Sequence, residues 1–200
     1  MQTYITMGVL DFPQLLDRNE VGRLRNCMKG SDNLSLARVE ARIIPPAHIE
    51  ALASEYLQEP VVCRPEHSWF RKRYAPPNAP RGHFPNSWHQ DGGLGVSFTP
   101  APGPQPPMTR LVTCWIALDP CGVDAPGLEL IRRPLDHLLH FSELNDATLH
   151  SRFPSEDFRA PELEPGDALL IHPGVLHRTY VKPEMRRDRL SIEFRLFPRD

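Results

Sequence analysis

Trp88-His89-Gln90-Asp91-Gly92 and Ile171-His172-Pro173-Gly174-Val175-Leu176-His177 are the two stretches on which the reading of this chain turns. Run as an extended segment, residues 87 to 91 place His89 and Asp91 on one face by the two-residue period of a strand, with Gln90 turned away. An imidazole and a carboxylate side by side are two ligands of a metal site. The second stretch supplies the third, His177, with His172 five residues earlier as its rival. Two histidines and one carboxylate bind one face of an octahedral metal and leave three positions open, the arrangement used by non-heme Fe(II) oxygenases.

Around these stretches the chain has the texture of a β protein. Ser68 to Tyr74 alternates Phe70, Lys72 and Tyr74 against Trp69, Arg71 and Arg73. Arg110 to Asp119 places Leu111, Thr113, Trp115 and Ala117 on one face and Val112, Cys114, Ile116 and Leu118 on the other. Short strands are expected at Leu128–Ile131 and, after the turn Pro165-Gly166-Asp167, at Ala168–Ile171. Arg187 to Leu196 alternates Arg187, Arg189, Ser191, Glu193 and Arg195 against Asp188, Leu190, Ile192, Phe194 and Leu196. If the arginine set faces a pocket, an anion there offsets its burial, and a guanidinium fork matches a carboxylate. Thr179, two residues beyond His177, shares the histidine's face.

Ahead of the strands, helical spacing is expected after Pro13, with Gly30 as a stop, and from Pro46 to Leu57, where Pro46 suits the first turn. A short strand is expected within Met1–Leu10, and residues 31 to 36 are expected to be a connection. Two proline-rich loops, 75–87 and 99–108, interrupt the strands; five prolines in the second exclude an interior strand. Loops of this length often cover substrate pockets. Residues 134–150, with His137, His140 and His150, are expected to be a short helix or surface loop.

With 200 residues the chain suits one compact unit, and 23 prolines favour turns over long helices. The expected organisation is a single domain over 1–200, helical to about residue 65, followed by a β core from about 66 to 196. The fold class is mainly β, a double-stranded β-helix (jelly roll, cupin-like) braced by the N-terminal helices. A formal net charge of −2 gives no reason to expect a nucleic-acid partner. No apolar run reaches a membrane-spanning length, and the N-terminus lacks a basic region followed by an apolar stretch. Four cysteines without a CxxC pair fit a reduced, cytoplasmic setting.

Trp88 to Asp91, Thr113 to Asp119, the turn Gly127-Leu128, the Gly166-Asp167 step leading to His177, and the closing Arg187 to Phe194 occur in the order found in a known family. Over roughly residues 68 to 196 the chain resembles the phytanoyl-CoA dioxygenase (PhyH-like) family of Fe(II)/2-oxoglutarate oxygenases. The resemblance implies that His89, Asp91 and His177 hold Fe(II). It implies that 2-oxoglutarate chelates the metal, that O2 takes the last position, and that succinate and CO2 are released. It assigns the far carboxylate of 2-oxoglutarate to Arg187, ten residues after His177, with Arg189 as the fallback. It also places Trp115 on the wall of the cosubstrate pocket. One departure is the stretch Arg132-Arg133-Pro134-Leu135-Asp136-His137, where the family often carries Pro-Gly-Ser-His.

The expected reaction is hydroxylation of a free small molecule, with His83, Trp88, Arg71 and Arg132 as substrate contacts. The chain is short for the family, so a homo-oligomer in which a second subunit completes the enclosure is also in view. Two other classes use the same residues. One is a metal-dependent cupin-like isomerase or hydrolase without 2-oxoglutarate; the other is a non-catalytic jelly-roll binding module.

Overall fold

In the computed structural model, residues 8–28, 33–39 and 47–199 are described. Strand β1 (Val9–Phe12) ends at Pro13, which has no N–H for a further ladder bond, and helix α1 (Arg18–Cys27) starts five residues later. Asp17 fixes that start. Its carboxylate accepts from the Asn19 and Glu20 N–H groups while Glu20 reaches back to the Asp17 N–H, a capping box. Leu16 and Val21, on either side of the cap, are buried in the same core cluster. The helix therefore begins later than the position after Pro13, and Phe12 packs on the core from a strand. The expected stop Gly30, the start Pro46 and the segment Met1–Met7 lie outside the described residues.

Asn33–Ser35 is a strand, β2, where a connection was expected; three residues are too few to show an alternation. Helix α2 is Ala47–Leu57, with Ile49, Ala53 and Tyr56 buried. Strands β3 (Val61–Cys63), β4 (Trp69–Arg73), β5 (His89–Gln90), β6 (Val112–Ala117) and β7 (Gly127–Ile131) follow. Helix α3 (Asp146–Arg152) precedes β8 (Phe158–Arg159), β9 (Ala168–Ile171), β10 (Leu176–Tyr180) and β11 (Arg189–Pro198).

Two sheets form. The larger has the order β1-β9-β6-β11-β4-β2, with β3 also paired to β11, and the smaller has the order β5-β10-β7-β8. This is the expected double-stranded β-helix with N-terminal helices braced against it. The first 65 residues are less purely helical than expected, because β1, β2 and β3 all belong to the larger sheet. The outer face of that sheet carries Phe70, Cys114, Ile116, Leu170, Ile192 and Phe194, packed with Leu16, Val21, Ile49 and Ala53 from the helical part. Burying a side chain of the size of Phe194 contributes about 2 kcal/mol. The inner face is left for the seam between the sheets. Among the described residues no helix is long and apolar enough to cross a membrane.

The turn before β10 depends on a close approach. The Leu135 N–H donates to Gly174 O at 3.0 Å, and a Cβ on Gly174 would lie 1.9 Å from Leu135 O. A Gly174→Ala substitution must push the 132–137 segment off the turn that delivers His177. It is expected to destabilise the protein by about 2 to 3 kcal/mol, within the usual range for overpacking, read from the denaturant midpoint. An unchanged midpoint would show that the two segments part freely.

Candidate metal centre

The seam between the sheets gathers one ligand atom each from His89, Asp91 and His177, all within 4.8 Å of one another. In the smaller sheet β5 pairs with β10 so that His89 stands directly opposite His177. Gln90 is extended (φ −122°, ψ 129°), and this one residue carries the parity from His89 to Asp91, which already opens a 3-10 turn, Asp91–Gly93. Gln90 does turn away. Its amide holds His137 O, Gly174 O and the Leu139 N–H, tying β5 to the turn that precedes His177.

Both imidazoles are held in one tautomer. His89 Nδ1 lies 2.7 Å from Ser87 O and His177 Nδ1 lies 3.1 Å from Val175 O. A carbonyl only accepts, so each Nδ1 carries the proton and each Nε2 lone pair is free to bind a metal. Burial, and then the neighbouring His177, push His89 from 6.5 down to about 4, which keeps it neutral as a ligand must be. Burial alone would raise Asp91, but the Arg195 guanidinium, His177, His89 and the Thr113 hydroxyl hold it well below the usual carboxylate range. Arg195 Nη2 donates to Asp91 Oδ1 and Thr113 Oγ1 donates to Oδ2, each at 2.6 Å. Oδ2 is the oxygen that faces His177 Nε2, at 3.9 Å. Metal bonds of about 2 Å place neighbouring donors about 3 Å apart, so the three side chains fit a metal with a small contraction.

The pocket above these ligands is lined by Arg71, Arg73, Asn86, Thr113, Trp115, Thr179, Arg189 and Glu193 among others. Trp115 and Thr179 both line it. Arg189 is buried on this wall, its guanidinium 4.9 Å from the centre of the Trp115 ring. Arg187 is exposed and does not line the pocket. Of the two candidates, the structure brings the fallback, Arg189, to this pocket and leaves Arg187 outside it. The cause is a turn: the Arg186 and Arg187 N–H groups both donate to Asp124 O, so the strand starts only at Arg189.

Of the four expected substrate contacts, only Arg71 lines this pocket. Trp88 is buried in a separate cluster with Ile131, Leu139 and Leu149, and its Nε1–H donates to Asp146. Arg132 is exposed and bonds Glu156 O. His83 stacks edge-on against Tyr74 in a neighbouring cleft. His172 is not part of the ligand cluster; its Nδ1 accepts from the Gly174 N–H, and its ring faces Tyr56. Arg195, Thr113, Glu193, Asn86 and Arg73 were not singled out as site residues. The alternation of β11 and β6 already carried Arg195, Glu193 and Thr113 on the correct faces.

A depressed histidine ties stability to pH. Below 6.5 the unfolded chain protonates His89, whereas the folded chain resists until about 4. The stability of the metal-free protein is therefore intact above 6.5 and falls as pH drops through that window, by up to about 3 kcal/mol from this group. Denaturant unfolding of the metal-free chain at about pH 7, 5.5 and 4.5 should show the decline, and His89→Gln should flatten it. A wild-type profile as flat as that of the variant contradicts a buried neutral imidazole.

Comparison with known proteins gives the same picture. No curated protein matches the sequence. Among solved structures, the non-heme alpha ketoglutarate dependent epimerase SnoN from nogalamycin biosynthesis superposes with a TM-score of 0.72 at 17% identity, covering 98% of this chain and 81% of that one. HygX from Streptomyces hygroscopicus, with nickel and 2-oxoglutarate bound, gives 0.69 at 18% identity, covering 98% and 84%. EctD from S. alaskensis, with 2-oxoglutarate and 5-hydroxyectoine, gives 0.68 at 14%, covering 98% and 74%. At these identities the likeness is one of fold. The sequence model of the phytanoyl-CoA dioxygenase (PhyH) family matches residues 14–181, most of the length, and the chain belongs to that family of Fe(II)/2-oxoglutarate-dependent oxygenases.

Proposed function

We propose that the protein is an Fe(II)/2-oxoglutarate-dependent dioxygenase that hydroxylates, or otherwise oxidises by two electrons, a free small organic molecule. The observation that carries this reading is the juxtaposition of His89, Asp91 and His177 with the buried guanidinium of Arg189 in one pocket. His89 Nε2, His177 Nε2 and Asp91 Oδ2 would hold the metal. When bound, Fe(II) with 2-oxoglutarate and O2 supplies the oxidation, and succinate and CO2 leave. Arg189 would receive the far carboxylate of the cosubstrate, with Trp115 beneath its guanidinium.

The residues around the metal position hold charge and geometry. Arg195 and Thr113 fix the plane of the Asp91 carboxylate and keep it ionised without a proton to give up. Burial of Trp115, Leu128 and Ile171 along the wall keeps water out of the seam. Arg71 stands at the margin of the pocket, its side chain 21% exposed and paired with Glu193. That position favours a substrate with an acidic or strongly polar group. A cleft held between two sheets suits a small molecule better than a polymer. The likeness in fold to the epimerase SnoN leaves the outcome of the oxidation to experiment.

Kept free of O2, the Fe(II) protein with 2-oxoglutarate should develop the weak visible charge-transfer band of the chelate. His89→Ala, Asp91→Ala and His177→Ala should weaken metal binding by about a hundredfold or more, exceeding the effect of removing a group that only supports a ligand. His172→Ala and Arg187→Gln should bind metal and cosubstrate as the wild type does. No band in the wild type would favour a cupin-like enzyme that does not use 2-oxoglutarate. A library screen for substrate-dependent succinate release, with mass detection of product, then fixes the substrate and reaction. Gain of one oxygen marks hydroxylation, loss of two hydrogens marks desaturation or ring closure, and coupled turnover of an acyl-CoA with its free acid inert overturns the small-molecule assignment.

A further inference from the structure

Two basic side chains of the pocket wall have no place yet in this chemistry, Arg178, which is paired with Glu129 and Asp146, and Arg73, which faces no carboxylate partner among the described residues. It stands directly opposite Arg189 in the β4–β11 ladder, so both side chains leave the same face of the larger sheet. Arg73 is 5% exposed and Arg189 2%. Among the described residues the hydrogen-bond partners of both are neutral. Arg73 donates to Asn33 Oδ1, Lys72 O and Asn86 Oδ1, and Arg189 donates to Pro126 O, Gly127 O and Ser191 Oγ. Burial, and in addition the charge of Arg73, push Arg189 down to about 10, so it is still a cation near neutrality. Glu193 attracts both, but its carboxylate lies against Arg71 and Arg195. Two buried guanidiniums on adjacent strands without a carboxylate between them are a costly arrangement, and an anion shared by both turns their repulsion into two attractions.

Two further donors line the same pocket. Trp115 is 2% exposed and its Nε1–H has no acceptor among the described residues. Thr179 Oγ1 accepts from the Asn86 N–H, which leaves its own proton to donate, and Asn86 in turn holds Arg73. We propose that Arg73 is the second guanidinium of a two-arginine carboxylate site, closing with Arg189 on the C5 carboxylate of 2-oxoglutarate. This rests on the function proposed above and goes beyond it, because it makes recognition of the far carboxylate the joint work of β4 and β11. The alternative occupant of Arg73, an anionic group on the oxidised substrate, is distinguished by the test.

The probes are 2-oxoglutarate and 2-oxovalerate, which has the same carbon chain and chelating end but no C5 carboxylate. Each is titrated without O2 into the Fe(II) protein, and the visible chelate band is followed. Arg73→Gln should weaken 2-oxoglutarate by at least about tenfold, the order expected for loss of one partner of a buried charged contact, while 2-oxovalerate changes by less than about twofold. Arg73→Lys should lie between Arg73→Gln and the wild type. In Arg73→Gln/Arg189→Gln the loss should be smaller than the product of the single losses, because both act on one carboxylate. The unaltered 2-oxovalerate band in each variant shows that the fold and the metal centre are intact. Equal weakening of both acids by Arg73→Gln overturns the proposal in favour of a structural role through Asn33 and Asn86. Unchanged 2-oxoglutarate binding overturns it and leaves Arg73 to the oxidised substrate. A wild-type protein that forms a band with neither acid overturns the proposed function itself, and this inference with it.

Discussion

A carboxylate that must remain ionised in a dry seam is the constraint on which this structure rests. Asp91 hangs from the edge of the smaller sheet, while the groups that keep it charged, Arg195 on β11 and Thr113 on β6, stand opposite each other on neighbouring strands of the larger one. The two sheets are therefore joined at the metal position by a charged contact as well as by apolar packing. The geometry also divides the two oxygens. Oδ1 is committed to a guanidinium, and Oδ2, which accepts from the neutral Thr113 hydroxyl and is turned to His177, is the one that would meet a metal. A carboxylate held this way favours binding through one oxygen, which preserves the open positions that a chelating cosubstrate and O2 require.

What the sequence reveals of this site depends on where one local rule suffices. His89 and Asp91 are joined by a single extended residue, so two-residue parity reaches from one to the other even though the strand itself ends at Gln90. The strand Ala168–Ile171 follows from an uninterrupted apolar run after a turn. Arg187 and Arg189 share a parity, and the alternation alone has no means of separating them. The deciding fact is the backbone turn anchored on Asp124, more than sixty residues earlier in the chain. Trp88 lies away from the pocket for a related reason. Adjacency to a ligand in sequence means the opposite face in a strand, and that face belongs to the cluster around Leu139 and Leu149.

Net charge is an equally poor guide to the pocket. The chain as a whole is formally −2, yet the inner face of the larger sheet presents Arg71, Arg73, Arg189 and Arg195 against Asp91 and Glu193. A slightly acidic surface thus encloses a basic interior, and small anions gain from the local field that a count over the sequence does not reveal.

The edge position of β5 has a dynamic consequence. This strand is two residues long and, among the described residues, pairs only with β10 at the edge of its sheet. Short, singly paired edge segments belong to the least protected cooperative unit of a fold and open without global unfolding. An ion that bonds His89 and Asp91 on one side and His177 on the other would close a ring across that ladder. The proline-rich connections on both sides of β5 would then share its protection from solvent exchange. Metal loading in such a scaffold would act as a clasp on the entrance as well as a reagent, because the ion that supplies the chemistry would also set how often the seam opens.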